Sequence, residues 1–298
     1  GTNMELDSVL FDRPEALGSA PCIDISLGDG NIATATIRRS YFYRSLMGRL
    51  LAGCIRSAAL EDVTVQDSMF IGNRAPQAFG GADVLCSQAQ NPGKAIFLRN
   101  NIHIDARSTI GSGAVVAISG GCDVHVTNST FRSTVSAISG GALAVSSSGG
   151  STVILEGTNY FSNGVSAFGG ALSVRDAGNR IVVRNSIGLG LVIANAGAAS
   201  GGGGVYAANG GLFMVEQTGK VSIVGSSSVR GGGIAANAGQ VQVDGQLDLL
   251  GTGDYRIWTS TRGGGVSLEA GATAIVTQTG RVSFDGCLSV DSGAGLFV

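Results

Sequence analysis

Short runs in which apolar and polar residues alternate recur along the chain, among them "VHVTNSTF", "ALAVSSS", "TVILEG" and "VQVDGQLDL". Gly, Asn, Ser and Asp fill the gaps between them. Alternation at period two puts successive side chains on opposite faces of an extended backbone, so the runs predict half-buried strands and the gaps predict turns. No helical period is sustained long enough to compete.

The runs are organised by a longer period. "FIGNRAPQAFGGADV", from Phe70 to Val84, is echoed by "FSNGVSAFGGALSV", from Phe161 to Val174. The small residue that follows or closes each glycine pair gives Gly53, Ala82, Ala114, Ala142, Ala171, Gly204, Gly233, Gly265 and Gly295, at intervals of 28 to 33 residues. A second set holds the same phase: Ile37, Val65, Val126 and Leu155 each stand five residues before an aromatic, Phe42, Phe70, Phe131 and Tyr160. Ser40, Ser68, Ser129 and Thr158 lie between, and Ser45, Asn73, Thr134 and Asn163 follow the aromatics by three. Two or three strands in about thirty residues cannot bury an apolar face alone, so the repeats must stack.

The fold expected is a right-handed parallel β-helix of about ten coils, one repeat per coil. At roughly 4.8 Å per coil it forms a rod of roughly 45–50 Å. Phe42, Phe70 and, after a coil without an aromatic, Phe131 and Tyr160 should stack inside. Asn73, Asn163 and Asn195 should sit where strands bend, since Asn tolerates the left-handed conformation. Gly-Gly should make the sharpest corner, with the following Ala in the narrow space inside. A β-propeller needs blades of about 40 or more residues, and a sandwich would not hold the phase. Residues 1–298 are expected to form a single β-helix domain, with 1–20 as a lead-in or cap. The chain is read as a piece of a longer polypeptide, because "GAGLFV" stops inside an apolar run.

Composition agrees with a folded, turn-rich chain: 49 glycines, 44% hydrophobic and only 13% charged residues. Net charge is −2 and basic residues do not cluster along the sequence beyond Arg38-Arg39, so neither nucleic acid nor an anionic bilayer is an expected partner. No apolar run of 18 residues occurs, so no direct membrane insertion by this segment is expected, and the first residues do not have the pattern of a signal peptide. The five cysteines have no metal-ligand spacing. Buried thiols are the simplest expectation for them. The intervals of 32 between Cys22, Cys54 and Cys86 also allow a disulfide between stacked coils.

A Phe-x-x-Asn element followed by Gly-Gly-Ala and an apolar residue resembles the paired repeat of the chlamydial-type polymorphic membrane proteins. "FIGNRAPQAFGGADV" and "YFSNGVSAFGGAL" contain both halves, with Asp83 in the apolar slot of the first, while "FRSTVSAISGGAL" has Thr134 for Asn. The clear match covers about residues 65 to 175. The resemblance implies a β-helical autotransporter passenger, displayed at the outer membrane or cell surface and serving adhesion. Expected partners are a host-cell receptor or surface glycan, or sister subunits of an assembly.

β-Helices also serve as polysaccharide-cleaving enzymes, whose sites need carboxylates from neighbouring coils. Asp62 and Asp123 share a phase but lie two coils apart, and Asp67 with Arg39 reads as a surface ion pair. His125, between Val124 and Val126, points outward with no nucleophile fixed beside it. Gly201 to Gly204 lacks the lysine and helix of a phosphate loop, the sequon at Asn128 is near chance, and the threonines at Thr34 and Thr36 do not recur as an ice-binding ladder would. No catalytic, cofactor-binding or metal-binding residue is therefore assigned, and no enzyme is expected. Binding surface is expected in loops such as Ser87 to Ala95 and around Trp258.

Overall fold

In the segment Asp62–Gln66, Val63 and Val65 are buried while Asp62, Thr64 and Gln66 stay partly exposed. The chain then bends at Asp67, which has a positive φ, and the strand Met69–Ile71 turns Phe70 inward. The same sentence is repeated coil after coil in the computed structural model, which describes residues 2–16, 22–25, 32–47, 54–57, 62–75, 81–86, 95–147, 149–252, 263–289 and 293–298. Those residues are all-β and form a parallel β-solenoid with repeats about thirty residues apart. An eighteen-stranded sheet carries two columns of strands, and ten- and eight-stranded sheets complete the section.

Eight coils carry strands on all three faces among the described residues, slightly fewer than the expected ten. The first coil begins earlier than expected. Thr2–Asp7 pairs in parallel with Ile32–Arg38, and Leu10–Asp12 with Tyr41–Tyr43, so residues assigned to a lead-in or cap already form a turn of the solenoid.

The interior is a set of ladders. Ile37, Val65, Leu98, Val126, Leu155 and Val183 are register partners on successive coils, all buried. Beside them Phe11, Phe42, Phe70, His103, Phe131 and Phe161 make a continuous ring stack, with centroids 4.3–5.0 Å apart. Two expectations change here. The coil lacking an aromatic hydrocarbon ring contributes His103, and Phe161 rather than Tyr160 enters the stack. The cause of the second is one extra residue: Thr127 pairs with Glu156 but Thr130 with Tyr160, so the chain bulges at Gly157, which has φ +70°, and the sixth residue after Leu155 points inward instead of the fifth.

The same shift makes Asn159, not Thr158, the continuation of the polar ladder. The Ser40 amide donates to Ser68 Oγ (3.1 Å), Ser68 to Asn101 Oδ1 (3.0 Å), Asn101 to Ser129 Oγ (3.2 Å) and Ser129 to Asn159 Oδ1 (3.0 Å). Each corner amide, which cannot join a sheet ladder, is satisfied by the side chain of the next coil. Asn163 and Asn195 adopt positive φ as expected; at Asn73 the preceding Gly72 does so instead.

At the glycine corner, Gly81, Gly113, Gly140 and Gly169 have φ between 61° and 66°. The inner slot after the corner is occupied by Asp83, Val115, Ala142 and Ala171, whose amides bond in sequence along the rod. Ala82 and Ala114 are buried but stand one residue before that slot, so the marker set is out of phase by one in two coils. Gly53 lies outside the described residues. Disulfides join Cys22 to Cys54 and Cys86 to Cys122, with Cα atoms 5.0 and 6.6 Å apart, and Cys287 is free. Reduced thiols are thus the wrong expectation for four of the five cysteines.

Candidate binding face

Two clusters of functional side chains emerge, one sealed and one open. Inside, Asp83 Oδ2 lies 2.7 Å from His103 Nδ1, Asn73 Nδ2 donates to Asp83 Oδ1 (2.7 Å), and Ser45 Oγ donates to Asn73 Oδ1 (2.7 Å). The residue types suggest a catalytic relay. All four are at most 1% exposed, and Ser45, which also borders the outer trough, contacts the asparagine rather than the histidine. The chemistry is internal: the His103 ring keeps the aromatic column continuous while its Nδ1 satisfies a buried carboxylate, and Nε2 has no hydrogen-bond partner.

Outside, the corner between the eighteen- and eight-stranded sheets forms an open trough of about 650 Å³ across the first four coils. Arg13, Arg44, Arg74 and Arg107 line it, one from each coil, with Glu15 and Asp105 as the carboxylates and Tyr43, Leu46 and Ile71 as the apolar wall. The solenoid fixes this placement. Arg13, Arg44 and Asp105 are left-handed corner residues whose side chains project from the bend. Arg74 and Arg107 are direct register partners on adjacent strands, at the roughly 4.8 Å spacing of neighbouring coils. Gly72, also with positive φ, leaves room for its neighbour: a Cβ there would sit 3.3 Å from Arg44 Cγ.

The four arginines of the trough outnumber its two carboxylates. Arg13 approaches Asp12 at 3.8 Å, and the Arg44 guanidinium lies 4.8 Å from the Tyr43 ring centroid. Arg44, Arg74 and Arg107 form no ion pair among the described residues, although like charges placed directly opposite destabilise a sheet. Next to the trough runs an outward ladder of Leu10, Tyr41, Met69 and Ile102, in which Leu10 and Tyr41 are more than half exposed.

The residues weighed as chemical candidates have structural roles. Asp62 and Asp123 are separated by the strand of Ala95, two coils apart as expected, and each accepts the amide that opens the next coil's strand, from Ala95 (3.0 Å) and Thr152 (2.8 Å). Arg39 pairs with Asp7 rather than Asp67, and that contact holds the Asp7 carboxyl below its ordinary range. Asp67 is lowered by hydrogen bonds from Gln66 and Asn100. His125 faces outward against the Phe97 ring at 5.0 Å, and burial pushes its pKa down. Asn128 is exposed at a corner, its Oδ1 accepting from the Thr158 amide. Loop residues 87–94 and Trp258 lie outside the described residues.

Sequence reasoning missed the trough because it sought basic residues clustered along the chain. The signal was present at the coil period, in arginines at 13, 44, 74 and 107. Among the described residues, no group of three or more His, Cys, Asp or Glu side chains is arranged to hold a metal ion. No family model, curated protein or solved structure matches the chain, so the reading of this face rests on its geometry and on the repeat itself.

Proposed function

We propose that the chain is a non-catalytic surface rod, a passenger of the polymorphic membrane protein type, that binds host or partner surfaces through its outer face. The observation that carries this reading is the contrast between the two clusters. The Asp83–His103 cluster is sealed in the interior, whereas Arg44, Arg74 and Arg107, which have no ion-pair partner among the described residues, and exposed Leu10, Tyr41 and Ile102 lie on the outside. Aromatic residues and arginine are the side chains enriched where proteins bind other molecules. The repeat supports the surface location, and the rod geometry supports a role in presenting a contact face.

The test is retention of the purified rod on immobilised cells and glycans, with Tyr41→Ser/Ile102→Ser as the variant. Binding that falls in the variant supports the reading; depolymerisation of a polysaccharide by the wild-type rod would replace it with an enzyme. The same apolar ladder favours a second reading, contact between sister subunits in an assembly. That reading predicts concentration-dependent association in sedimentation, abolished by the same substitutions.

A further inference from the structure

We infer that the trough formed by Arg13, Arg44, Arg74 and Arg107 is a binding site for a linear acidic polysaccharide, an inference that rests on the surface-binding reading and names its ligand. Three features select this class. Each of the four coils contributes one arginine, Arg13 and Arg44 from the corner and Arg74 and Arg107 from the strand just beyond it, which spreads positive charge along the rod and suits an extended anionic chain better than a compact anion. At about 650 Å³ the trough is of ligand size, but it is open along its length. Its wall is mixed: Tyr43 offers an aromatic surface to the apolar face of a sugar ring, and Glu15 and Asp105 accept hydrogen bonds from hydroxyls.

The carboxylates also argue against nucleic acid. A phosphate backbone has little to donate to Glu15 or Asp105, and a chain of net charge −2 lacks the extended basic surface that such binding needs. Arg74 and Arg107 supply the strongest reason for a ligand. Two guanidiniums held on adjacent coils with no carboxylate partner among the described residues are relieved by an anion that bridges them bidentately.

The experiment is isothermal titration of the full chain with heparin, polygalacturonate, dextran and single-stranded DNA at physiological ionic strength. Heparin or polygalacturonate should bind and dextran should not; the stronger of the two distinguishes sulfate from carboxylate as the anionic group. Arg74→Glu/Arg107→Glu should weaken binding at least tenfold, and Arg281→Glu, at the far end of the rod, should leave it unchanged. Arg74→Gln/Arg107→Gln serves if the charge reversal disturbs folding by circular dichroism. Absence of acidic-glycan binding, equal affinity for DNA, or binding indifferent to both double variants would overturn the site. If Arg74→Glu/Arg107→Glu rods still bind cells while Tyr41→Ser/Ile102→Ser rods do not, the trough fails and the broader reading survives.

Discussion

His103 is the one polar ring in a column of phenylalanines, and replacing it with the residue its neighbours use should damage the rod. In His103→Phe the aromatic stack gains a matched ring, worth about 0.5–1.5 kcal/mol beyond area burial. Against this, the Asp83 carboxylate, 1% exposed, keeps only the Asn73 amide. Breaking a buried pair by removing one partner costs about 3–5 kcal/mol, so the net loss is roughly 2–4 kcal/mol. Asp83→Val, which installs the type of residue found at Val115, strands both His103 Nδ1 and the Asn73 amide and should cost about 2–6 kcal/mol. The double variant removes both polar partners together. Replacing a buried pair by apolar groups is neutral or stabilising by about 1–4 kcal/mol. An unpaired Asn73 amide offsets about 1–3 of that, leaving the double variant within roughly 3 kcal/mol of wild type. Because a solenoid need not unfold in one step, the readout is amide hydrogen exchange in Ile102–Ile104, alongside denaturation by guanidinium. Additive losses in the double variant, or no loss in His103→Phe, would refute the coupling.

Two further outcomes follow from the corners and from the outer face. Gly170→Ala should destabilise by more than about 2 kcal/mol, because the new Cβ would lie 2.2 Å from the Gly203 carbonyl oxygen; Gly271→Ala, with open space but φ +77°, should cost only about 1–2 kcal/mol, and thermal melts rank the two. Burial lowers the pKa of His125 below its ordinary 6.5, so the unfolded chain binds the proton more readily. Its contribution to stability is full above about pH 6.5 and is lost as pH falls below that value; His125→Gln should flatten the pH dependence of the midpoint there, and an unchanged slope would contradict the assignment.

Much of this architecture could be read from the chain because a solenoid repeats its instructions. The apolar alternation at Val63/Val65 and Val124/Val126 and the glycine corners each announce themselves several times. What could not be read is where one coil departs from the rest. The bulge at Gly157 inserts a single residue and exchanges Tyr160 for Phe161, and period-two logic cannot locate such an insertion when both candidates are aromatic. His103 was invisible as a core residue because a histidine in an alternating run reads as polar, and only its partner Asp83 makes it an interior ring. The trough was hidden for a different reason. Its arginines are about thirty residues apart, so they form a cluster only after the fold has placed coil upon coil.

That placement is tested most directly by trapping. In a Cys287→Ser background, Arg74→Cys/Arg107→Cys sets two thiols on register partners one coil apart. A spacing of roughly 4.8 Å falls within the Cα range of a disulfide, whereas Arg74→Cys/Val135→Cys, two coils apart, exceeds the limit of about 7 Å. Peptide mapping after mild oxidation should find the 74–107 bridge in the first protein and none in the second. A 74–135 bridge, or two reduced thiols in both proteins, would contradict the stacking on which the aromatic column, the polar ladder and the arginine trough all stand.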